Sequence, residues 1–368
     1  MSDNNNNNIS LFLTAVEKQV TSNIISATES KSNKDFIVWG DGNKFPNYLM
    51  ECYNNCPTLQ SIINGTADYV CGDDIIVNSL MFGKKVNANG ETMKELISKI
   101  ALDYLIFGCY ALHILRNYKG EVSELYWVDV TKLRSDEKNE VFYYSDDWNK
   151  SYGRVKTLQY PKYSESDENT SSIFFYKNNQ ARTTYGTPIW SASLKNVAIE
   201  MGITNFHLNE LENNFMGSKL ISFCNGIPDE KQKAEIENSI NEKFSGNENA
   251  GRILISFAQH KDNAPIVSSL ATDDFDKRYE TLEKRNKAQI FVAFRATPVL
   301  FGLVTESNGF ATNEYRDSYK IYAKTVVNPI QQSIVDSINK IIGENGIEIK
   351  PFTINFDDEN NNEKQIID

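Results

Sequence analysis

The residues that could perform chemistry in this sequence are few, and the glycine-rich segments come first. Gly40-Asp41-Gly42-Asn43-Lys44 and the stretch from Gly246 to Gly251-Arg252 have glycine spacings that resemble phosphate-binding loops. Neither contains the G-x-x-x-x-G-K-[ST] arrangement, in which a lysine contacts the phosphates and a hydroxyl contacts magnesium. We therefore predict that both segments are turns.

The histidines and carboxylates do not form a catalytic pattern either. His113 falls on a predicted strand, His207 on a predicted helix, and His260 stands apart from both. Acidic pairs occur at predicted helix edges or in loops, at Asp73-Asp74, Asp146-Asp147, Asp273-Asp274 and Asp357-Asp358. Glu348-Ile349-Lys350 resembles half of a metal-nuclease strand signature, but no acidic partner precedes it on a strand. We predict a surface strand there, no catalytic residue and no metal site.

The cysteines give one further candidate for metal binding. Cys52 and Cys56 are one helical turn apart, but no second cluster of Cys or His lies near them in the sequence. A structural zinc site needs four such ligands. Free thiols in a reducing compartment are therefore the preferred interpretation, and we expect no cofactor.

The charge balance limits the kinds of partner. The 368 residues carry a net charge of −11 with a pI near 5.0, and the two signs are interspersed. Tight nucleic-acid binding needs clustered Lys and Arg, so a protein that grips DNA is excluded. A surface past which DNA slides is compatible with this acidity. No apolar run of about 18 residues predicts a membrane span, and the Asn-rich start has no signal-peptide pattern.

The most informative stretch runs from Asn286 to Ile342. An apolar helix end leads into Ala296-Thr297-Pro298, and an apolar cluster then closes on Gly302. Val304 to Ala311 is polar and contains a glycine, yet it lies between two predicted helices, and long loops so placed tend to be functional or disordered. The next helix has an apolar face of Tyr315, Tyr319, Tyr322, Val326, Ile330, Ile334, Ile338 and Ile341. Pro329 predicts a kink within it.

Hydrophobic periodicity predicts the remaining elements. Helices are expected around Tyr48–Asn55, after Pro57, and over about Thr92–Ile106, with later helices over Pro188–Phe215, Glu230–Phe244 and Asp273–Arg295. Strands are expected on both sides of Tyr118-Lys119-Gly120 and around Val141–Tyr144, Val155–Tyr160, Ile173–Tyr176, Lys219–Phe223 and Arg252–Phe257. Pro188 suits the first turn of its helix, where a missing N–H costs nothing.

Four patterns in this order resemble the portal proteins of tailed bacteriophages of the HK97-like family, over about residues 36–342. They are the hairpin residues Gly108, Tyr110, Ile114, Arg116 and Gly120, the helix entry Tyr185-Gly186-Thr187-Pro188, the turn from Gly246 to Arg252, and the segment from Phe291 to Gly302. The resemblance implies an α+β fold: an elongated, multi-lobed portal subunit that assembles with copies of itself into a ring.

The resemblance also implies a division of the chain. The expected parts are a flexible N-terminal arm (1–35), a wing (36–184), a stem helix (185–217), a small α/β clip (218–272), a second stem helix (273–296), a tunnel loop (297–311), a kinked helix returning to the wing (312–342) and an acidic tail or reduced crown (343–368).

Function and partners follow from the same resemblance. A portal performs no bond chemistry; it forms a ring, twelve-fold in the family, at one capsid vertex. Double-stranded DNA is packaged through that ring by terminase and later ejected, without sequence specificity. The implied partners are the terminase large subunit, the major capsid protein and the head–tail adaptor, with no membrane. The implied location is the virion, and the host cytoplasm during assembly.

The implied functional residues fall into three groups. The DNA-channel tunnel loop comprises Thr305, Glu306, Ser307, Asn308, Gly309 and Phe310. The terminase-docking surface of the clip comprises Glu230, Lys231, Lys233, Glu235, Glu237, Glu242 and Lys243. The structural hinges are Pro188, Pro298, Gly302 and Pro329. Two alternatives stay open from the sequence: a non-ring structural protein of a phage or mobile element, and a metal-dependent nuclease.

Overall fold

The computed structural model describes residues 24–31, 35–79, 82–148, 157–166, 169–178, 183–212, 219–223, 231–232, 235, 253–257, 275–302, 312–343 and 345–353. The chain divides into two compact units, residues 1–198 with 287–368 and residues 199–286. Within the described part of the chain, no helix has both the length and the apolar character that crossing a bilayer requires.

The first unit begins with three helices at the predicted places. They are α1 (Phe45–Asn55), α2 (Pro57–Cys71) and α3 (Met93–Phe107). The Thr92 hydroxyl accepts a hydrogen bond from Glu95 N, and the Glu95 carboxylate accepts one from Thr92 N, which satisfies two backbone donors at the start of α3. Gly72 and Gly108, with φ of 64° and 74°, end α2 and α3.

Antiparallel strands complete this unit. They are β1 (Ser30–Lys31), β2 (Ile37–Val38), β3 (Asp74–Val77), β4 (Cys109–Arg116), β5 (Val122–Val128), β6 (Leu133–Ser135), β7 (Val141–Tyr144), β8 (Leu158–Pro161) and β9 (Ser171–Lys177). The strand orders are β5-β4-β9 and β6-β7-β8, and β1 pairs with β2. The predicted hairpin is confirmed as β4 and β5, in which Ile114 faces Leu125.

The second unit contains the larger part of two long helices and a small strand pair. The elements are α4 (Leu194–Glu212), β10 (Lys219–Phe223), β11 (Ile253–Phe257) and α5 (Phe275–Phe294), and both long helices have an end in the first unit. β10 and β11 are parallel, so the chain between them must cross over. Lys231, Gln232 and Glu235 of that connection are helical, as predicted.

The chain then returns to the first unit. A short 3-10 helix (Pro298–Phe301) follows α5, and then come α6 (Thr312–Tyr322), a π-helical turn (Ala323–Val327), α7 (Asn328–Ile342) and β12 (Ile347–Lys350). β12 pairs antiparallel with β3. Ile347 and Ile349 are buried while Glu348 and Lys350 are exposed, which confirms a surface strand.

The prediction that Pro188 lies in the first turn of a helix is wrong. A 3-10 turn begins at Ser191, and α4 begins only at Leu194. Two contacts fix the preceding segment outside the helix: the Asn178 side-chain amide donates to the Thr187 carbonyl, and that carbonyl packs so closely on Gly108 that a Cβ there would lie 2.2 Å from its oxygen. A residue before proline also avoids the helical conformation.

The segment from Gly40 to Lys44 is a turn, as predicted. Gly40, Gly42 and Asn43 all have positive φ. Asn43 Oδ1 accepts hydrogen bonds from Trp39 N (2.9 Å) and from Arg134 Nε (2.8 Å). The buried Arg134 guanidinium lies 5.7 Å from the Trp39 ring centroid and 5.1 Å from that of Trp148. The polar groups of the turn thus position an arginine.

Candidate functional site

The predicted tunnel-loop residues, Thr305 to Phe310, lie outside the described residues, as does the whole of 303–311. The structure does describe the chain on both sides of this segment. Those flanking residues show how the segment is attached to the first unit.

On the N-terminal side, the attachment is the end of α5. Phe291 and Phe294 are buried, and Arg295 turns the chain with a φ of 54°. Pro298 opens the 3-10 helix and Gly302 ends it in the left-handed conformation, with φ 79°. Both residues occupy a change of chain direction, because proline fits the first helical turn and glycine adopts positive φ at low cost.

This 3-10 helix packs closely against α2. A Cβ added to Gly65 would lie 2.9 Å from two carbons of the Phe301 ring, so only glycine lets the ring approach the helix backbone this closely. The Phe301 ring also contacts Phe291 at 6.0 Å and Tyr322 at 5.9 Å, measured between ring centroids. Phe301 therefore links α2, α5 and α6 one residue before the turn at Gly302.

Tyr69 of α2 joins the two sides of the segment. Its hydroxyl donates to the Leu300 carbonyl (3.1 Å) before the segment, and it accepts from the Tyr315 hydroxyl (3.1 Å) after it. Its ring also contacts those of Tyr319 and Phe352, with centroids 5.2 Å and 5.1 Å apart. Burial raises the pKa of Tyr69 above its ordinary value, so the phenol stays protonated.

A second hydrogen bond fixes the end of α6 to the same helix. The Thr66 hydroxyl donates to the Ile62 carbonyl (2.6 Å), so it accepts from the Tyr322 hydroxyl (2.7 Å). Burial raises the pKa of Tyr322 to about 12. Gly65, Thr66 and Tyr69, all on one turn of α2, therefore hold both flanks of residues 303–311; we call these three residues the α2 mount.

The interruption predicted at Pro329 takes the form of a π-helical turn. Asn328 N donates to the Ala323 carbonyl, five residues earlier, and α7 resumes directly afterwards. Proline has no N–H to donate, and in a regular α-helix its ring would clash with the carbonyl of Thr325. The wider π turn avoids that clash. The hydrophobic face is confirmed, since Tyr322, Val326, Ile330, Ile334, Ile338 and Ile341 are all buried.

The predicted docking surface of the clip is described only in part. Lys231 and Glu235 lie on a helix and are exposed. Glu230, Lys233, Glu237, Glu242 and Lys243 lie outside the described residues.

The thiols that could have formed a metal pair are buried instead. Cys52 and Cys56 are fully buried and form no disulfide. Burial raises the pKa of Cys52 to about 12, which disfavours the thiolate that a metal would require. Across the described residues, no group of three His, Cys, Asp or Glu could hold a metal ion.

Sequence reasoning missed the α2 mount. Thr66 and Tyr69 contact residues more than 230 positions away, and no local pattern reports such contacts. The one available signal was Gly65 itself. A glycine inside an otherwise apolar helix costs about 1 kcal/mol relative to alanine, and it often marks a close packing contact.

Comparison with known proteins gives one family and several solved structures. The profile of the phage portal protein family matches residues 82–363. The chain is similar to a chain in the virion of a native gene transfer agent particle, with a TM-score of 0.53, 16% identity, and 89% and 86% of the two chains covered. No curated protein matches.

Two further structures have the same fold. One is a chain in the neck of the native gene transfer agent particle, computed with C12 symmetry, with a TM-score of 0.52, 17% identity, and 89% and 86% of the two chains covered. The other is the crystal structure of an HK97 family phage portal protein from Corynebacterium diphtheriae, with a TM-score of 0.52, 11% identity, and 82% and 94% covered. The family profile spans most of the sequence, and this chain therefore belongs to the phage portal protein family.

Proposed function

We propose that this chain is one subunit of a closed ring at a capsid vertex, through which double-stranded DNA enters and later leaves the particle. The family match over residues 82–363 carries this proposal. It favours a portal over the two alternatives that the sequence left open, a non-ring structural protein and a metal-dependent nuclease. The C12 symmetry of the similar gene transfer agent neck supports a ring of identical subunits.

The α2 mount supports a role for residues 303–311 in the channel. A loop that touches moving DNA in a ring must keep its position under load. Gly65, Thr66 and Tyr69 attach both flanks of the segment to one helix turn, through hydrogen bonds and aromatic contacts. Loops on a rigid support are where proteins commonly place functional residues.

The composition of the loop suits weak contact with DNA. Thr305 to Phe310 includes hydroxyl, amide and carboxylate groups but no Lys or Arg. The hydroxyl and amide groups and the backbone N–H can touch phosphates without the strong ionic attachment that lysine gives, so the DNA can keep moving. We propose that Glu306 and Asn308 face the channel.

Ring formation is tested by the mass and image of the purified protein. Native mass spectrometry and negative-stain microscopy at micromolar concentration should show particles many times heavier than the 41.8 kDa chain. The rings should form without DNA or nucleotide. A strictly monomeric mass at physiological salt would contradict the proposal.

The loop assignment needs a variant that adds positively charged side chains and a control that adds none. Glu306→Lys with Asn308→Lys adds positive charge at each repeat around the ring and should slow or stall packaging. Glu306→Gln with Asn308→Gln adds no cation and should package close to the wild-type rate. If intact double-Lys rings package full-length genomes at the wild-type rate, these positions do not line the path.

The clip, residues 218–272, is proposed to dock terminase through its charged helix. Lys231→Glu with Glu235→Lys changes two exposed side chains and should weaken terminase binding while leaving the ring intact. Lys84→Glu with Lys119→Glu changes exposed lysines outside the clip and should have no effect. If the clip variant binds terminase as strongly as the wild-type protein does in a pull-down, the clip is not the docking surface.

A further inference from the structure

A groove with a lysine rim lies in the first unit, between the strands and α7. Its volume is about 520 Å³. Phe174 and Tyr176 of β9 line one side, Ser337 of α7 lines the other, and Lys138 and Lys340 stand at the rim. The half-buried aromatic rings make the floor apolar, and both lysines are exposed. We call this site the lysine groove.

The rim has a net positive charge in a chain whose total is −11. Among the described residues, no carboxylate lies within 4 Å of the Lys138 or the Lys340 ammonium. Lys162 also lines the groove but pairs with Glu140 at 3.1 Å. Asp336 also lines the groove, and its carboxylate accepts a hydrogen bond from the Gln332 amide (2.7 Å). Two cations beside an apolar floor are thus left for an acidic ligand.

We propose that the acidic segment 354–368 of the same chain occupies the lysine groove. This segment has five acidic residues and one lysine, and three of the acids are consecutive, from Asp357 to Glu359. Ile354 and Phe356 precede them, so apolar side chains adjoin the carboxylates. Apolar side chains followed by carboxylates match a groove with an aromatic floor beside a cationic rim. Charge complementarity therefore selects this segment as the occupant.

The segment starts close enough to reach the groove. Thr353 N donates to the Asp73 carboxylate (3.0 Å), just beyond the end of α2. The Gln331 side chain in the first turn of α7 donates to the Val70 carbonyl of α2 (2.9 Å). From Gln331 to Lys340, α7 rises about 14 Å, and the helix is about 10 Å wide. From Thr353, four extended residues to Asp357 span about 14 Å and six to Glu359 about 20 Å, so Glu359 can reach the groove around the helix.

Photo-crosslinking in the full-length protein tests this placement. Asn360 is replaced by p-benzoylphenylalanine, which leaves every carboxylate of the segment in place. After irradiation, mass spectrometry should find intrachain crosslinks to the peptides that contain Lys138, Tyr176 and Lys340. A probe placed at the fully exposed Tyr118 reports the non-specific background.

Charge variants show whether the contact depends on the groove. Lys138→Glu with Lys340→Glu should lower the crosslinked fraction at least severalfold, whereas Lys84→Glu with Lys119→Glu should leave it unchanged. Neutralising Asp357, Asp358 and Glu359 to the amides leaves the groove untouched and should cause the same loss. That second variant keeps the test valid even if the groove variant folds poorly.

Three outcomes would overturn the proposal. The first is crosslinking spread over other surfaces, or crosslinking that both charge variants leave intact. The second is a conjugate that joins two copies of the chain, which would mean that another subunit supplies the segment. The third is loss of DNA retention in Lys138→Glu with Lys340→Glu at an unchanged crosslink yield, which would make the groove a DNA-contacting surface.

Discussion

Among the described residues of the first unit, two buried charged side chains, Asp103 and Arg134, form no ion pair, and the structure compensates for each in a different way. Arg134 donates to the Asn43, Thr131 and Leu133 carbonyls and lies beside two tryptophan rings. Burial lowers its pKa to about 10. Carbonyl acceptors and ring faces stabilise a guanidinium without a carboxylate. Asp103 has one hydrogen-bond partner in the described part of the chain: its carboxylate accepts from Trp127 Nε1 at 2.8 Å.

Asp103→Asn should raise stability at neutral pH. Burial, and secondarily the Asp129 charge, raise the pKa of Asp103 well above its ordinary value, although the Trp127 N–H lowers it. In the unfolded chain the carboxyl loses its proton near pH 4. Between that pH and the folded pKa, the native state binds more protons, so stability falls as pH rises. Asparagine keeps the acceptor for Trp127 and does not ionise.

Thermal unfolding at several pH values checks this sign. The stability gain of Asp103→Asn should be largest near pH 7 and should shrink as pH falls towards about 4. Asp68→Asn removes the same charge at an exposed position of α2 and should change little. A gain that does not depend on pH would show that the cause is packing and not proton binding.

Gly65 should respond to substitution differently from a glycine in an open place. An alanine Cβ at position 65 would clash with the Phe301 ring, whereas the Cβ position at Gly202 of α4 has no neighbour within 4 Å. Gly202→Ala should gain up to about 1 kcal/mol from helix propensity. The free energy of unfolding of Gly65→Ala should be lower than that of Gly202→Ala by about 1–3 kcal/mol because of overpacking. If chemical denaturation gives the same change in the free energy of unfolding for both substitutions, the Phe301 ring can move aside without loss of stability.

Among the helices and strands, the sequence predicted those whose apolar residues recur at helical spacing or that flank a recognisable glycine turn. The helix α3 has Met93, Leu96, Ile97 and Ile100 buried at helical spacing, and the hairpin of β4 and β5 forms around Gly120. The start of α4 was mispredicted because Thr187 is held outside the helix by Asn178, nine residues before it, and by the close packing of its carbonyl on Gly108. The α2 mount was missed for the same reason, since its partners are joined only by tertiary structure.

The π turn had a partial signal in the sequence. Apolar residues recur every four positions from Tyr322 to Ile338. Each step of four rotates the face by about 40° in a regular helix, so the stripe would drift away from the core. A π turn has more residues per turn and offsets part of that drift. Pro329 indicated where regular hydrogen bonding fails, but it did not indicate which irregular geometry replaces it.

Deleting Lys324 tests whether the extra length of the π turn matters. The deletion would let a regular helix form, but it would rotate α6 by about 100° relative to α7. Tyr322 would then leave Thr66, and Tyr319 would leave Tyr69. We expect a loss of about 2–5 kcal/mol, as for the removal of a large core side chain.

The control for this deletion is Lys324→Ala, which keeps the length and removes an exposed side chain. It should stay within about 0.5 kcal/mol of wild type. Chemical denaturation of both variants gives the comparison. If the deletion variant is as stable as Lys324→Ala, the π turn is not required for the packing of α6 on α2.

For the whole molecule, buried phenols and thiols determine how stability responds to alkaline pH. Burial raises the pKa values of Tyr48, Cys52, Tyr69, Tyr104, Cys109, Tyr110, Tyr185 and Tyr322. In the unfolded chain, thiols ionise near pH 8.5 and phenols near pH 10. Above those values the unfolded state loses protons that the native state keeps, so stability falls as pH rises. The lowered pKa of Arg134 makes stability rise with pH, but this one group is outnumbered by the eight phenols and thiols.

The melting temperature should therefore stay nearly constant from pH 7 to about 8.5 and fall steadily to pH 11. Tyr322→Phe removes one of these protons together with the hydrogen bond to Thr66. It should be less stable than wild type by about 1 kcal/mol near pH 7, and the gap should narrow above pH 10 because the variant has no phenol to ionise when it unfolds. Tyr118→Phe, at a fully exposed position, should follow the wild-type curve throughout. A gap that widens with pH would mean that Tyr322 is ionised in the folded protein, and it would contradict the burial of its hydroxyl against Thr66.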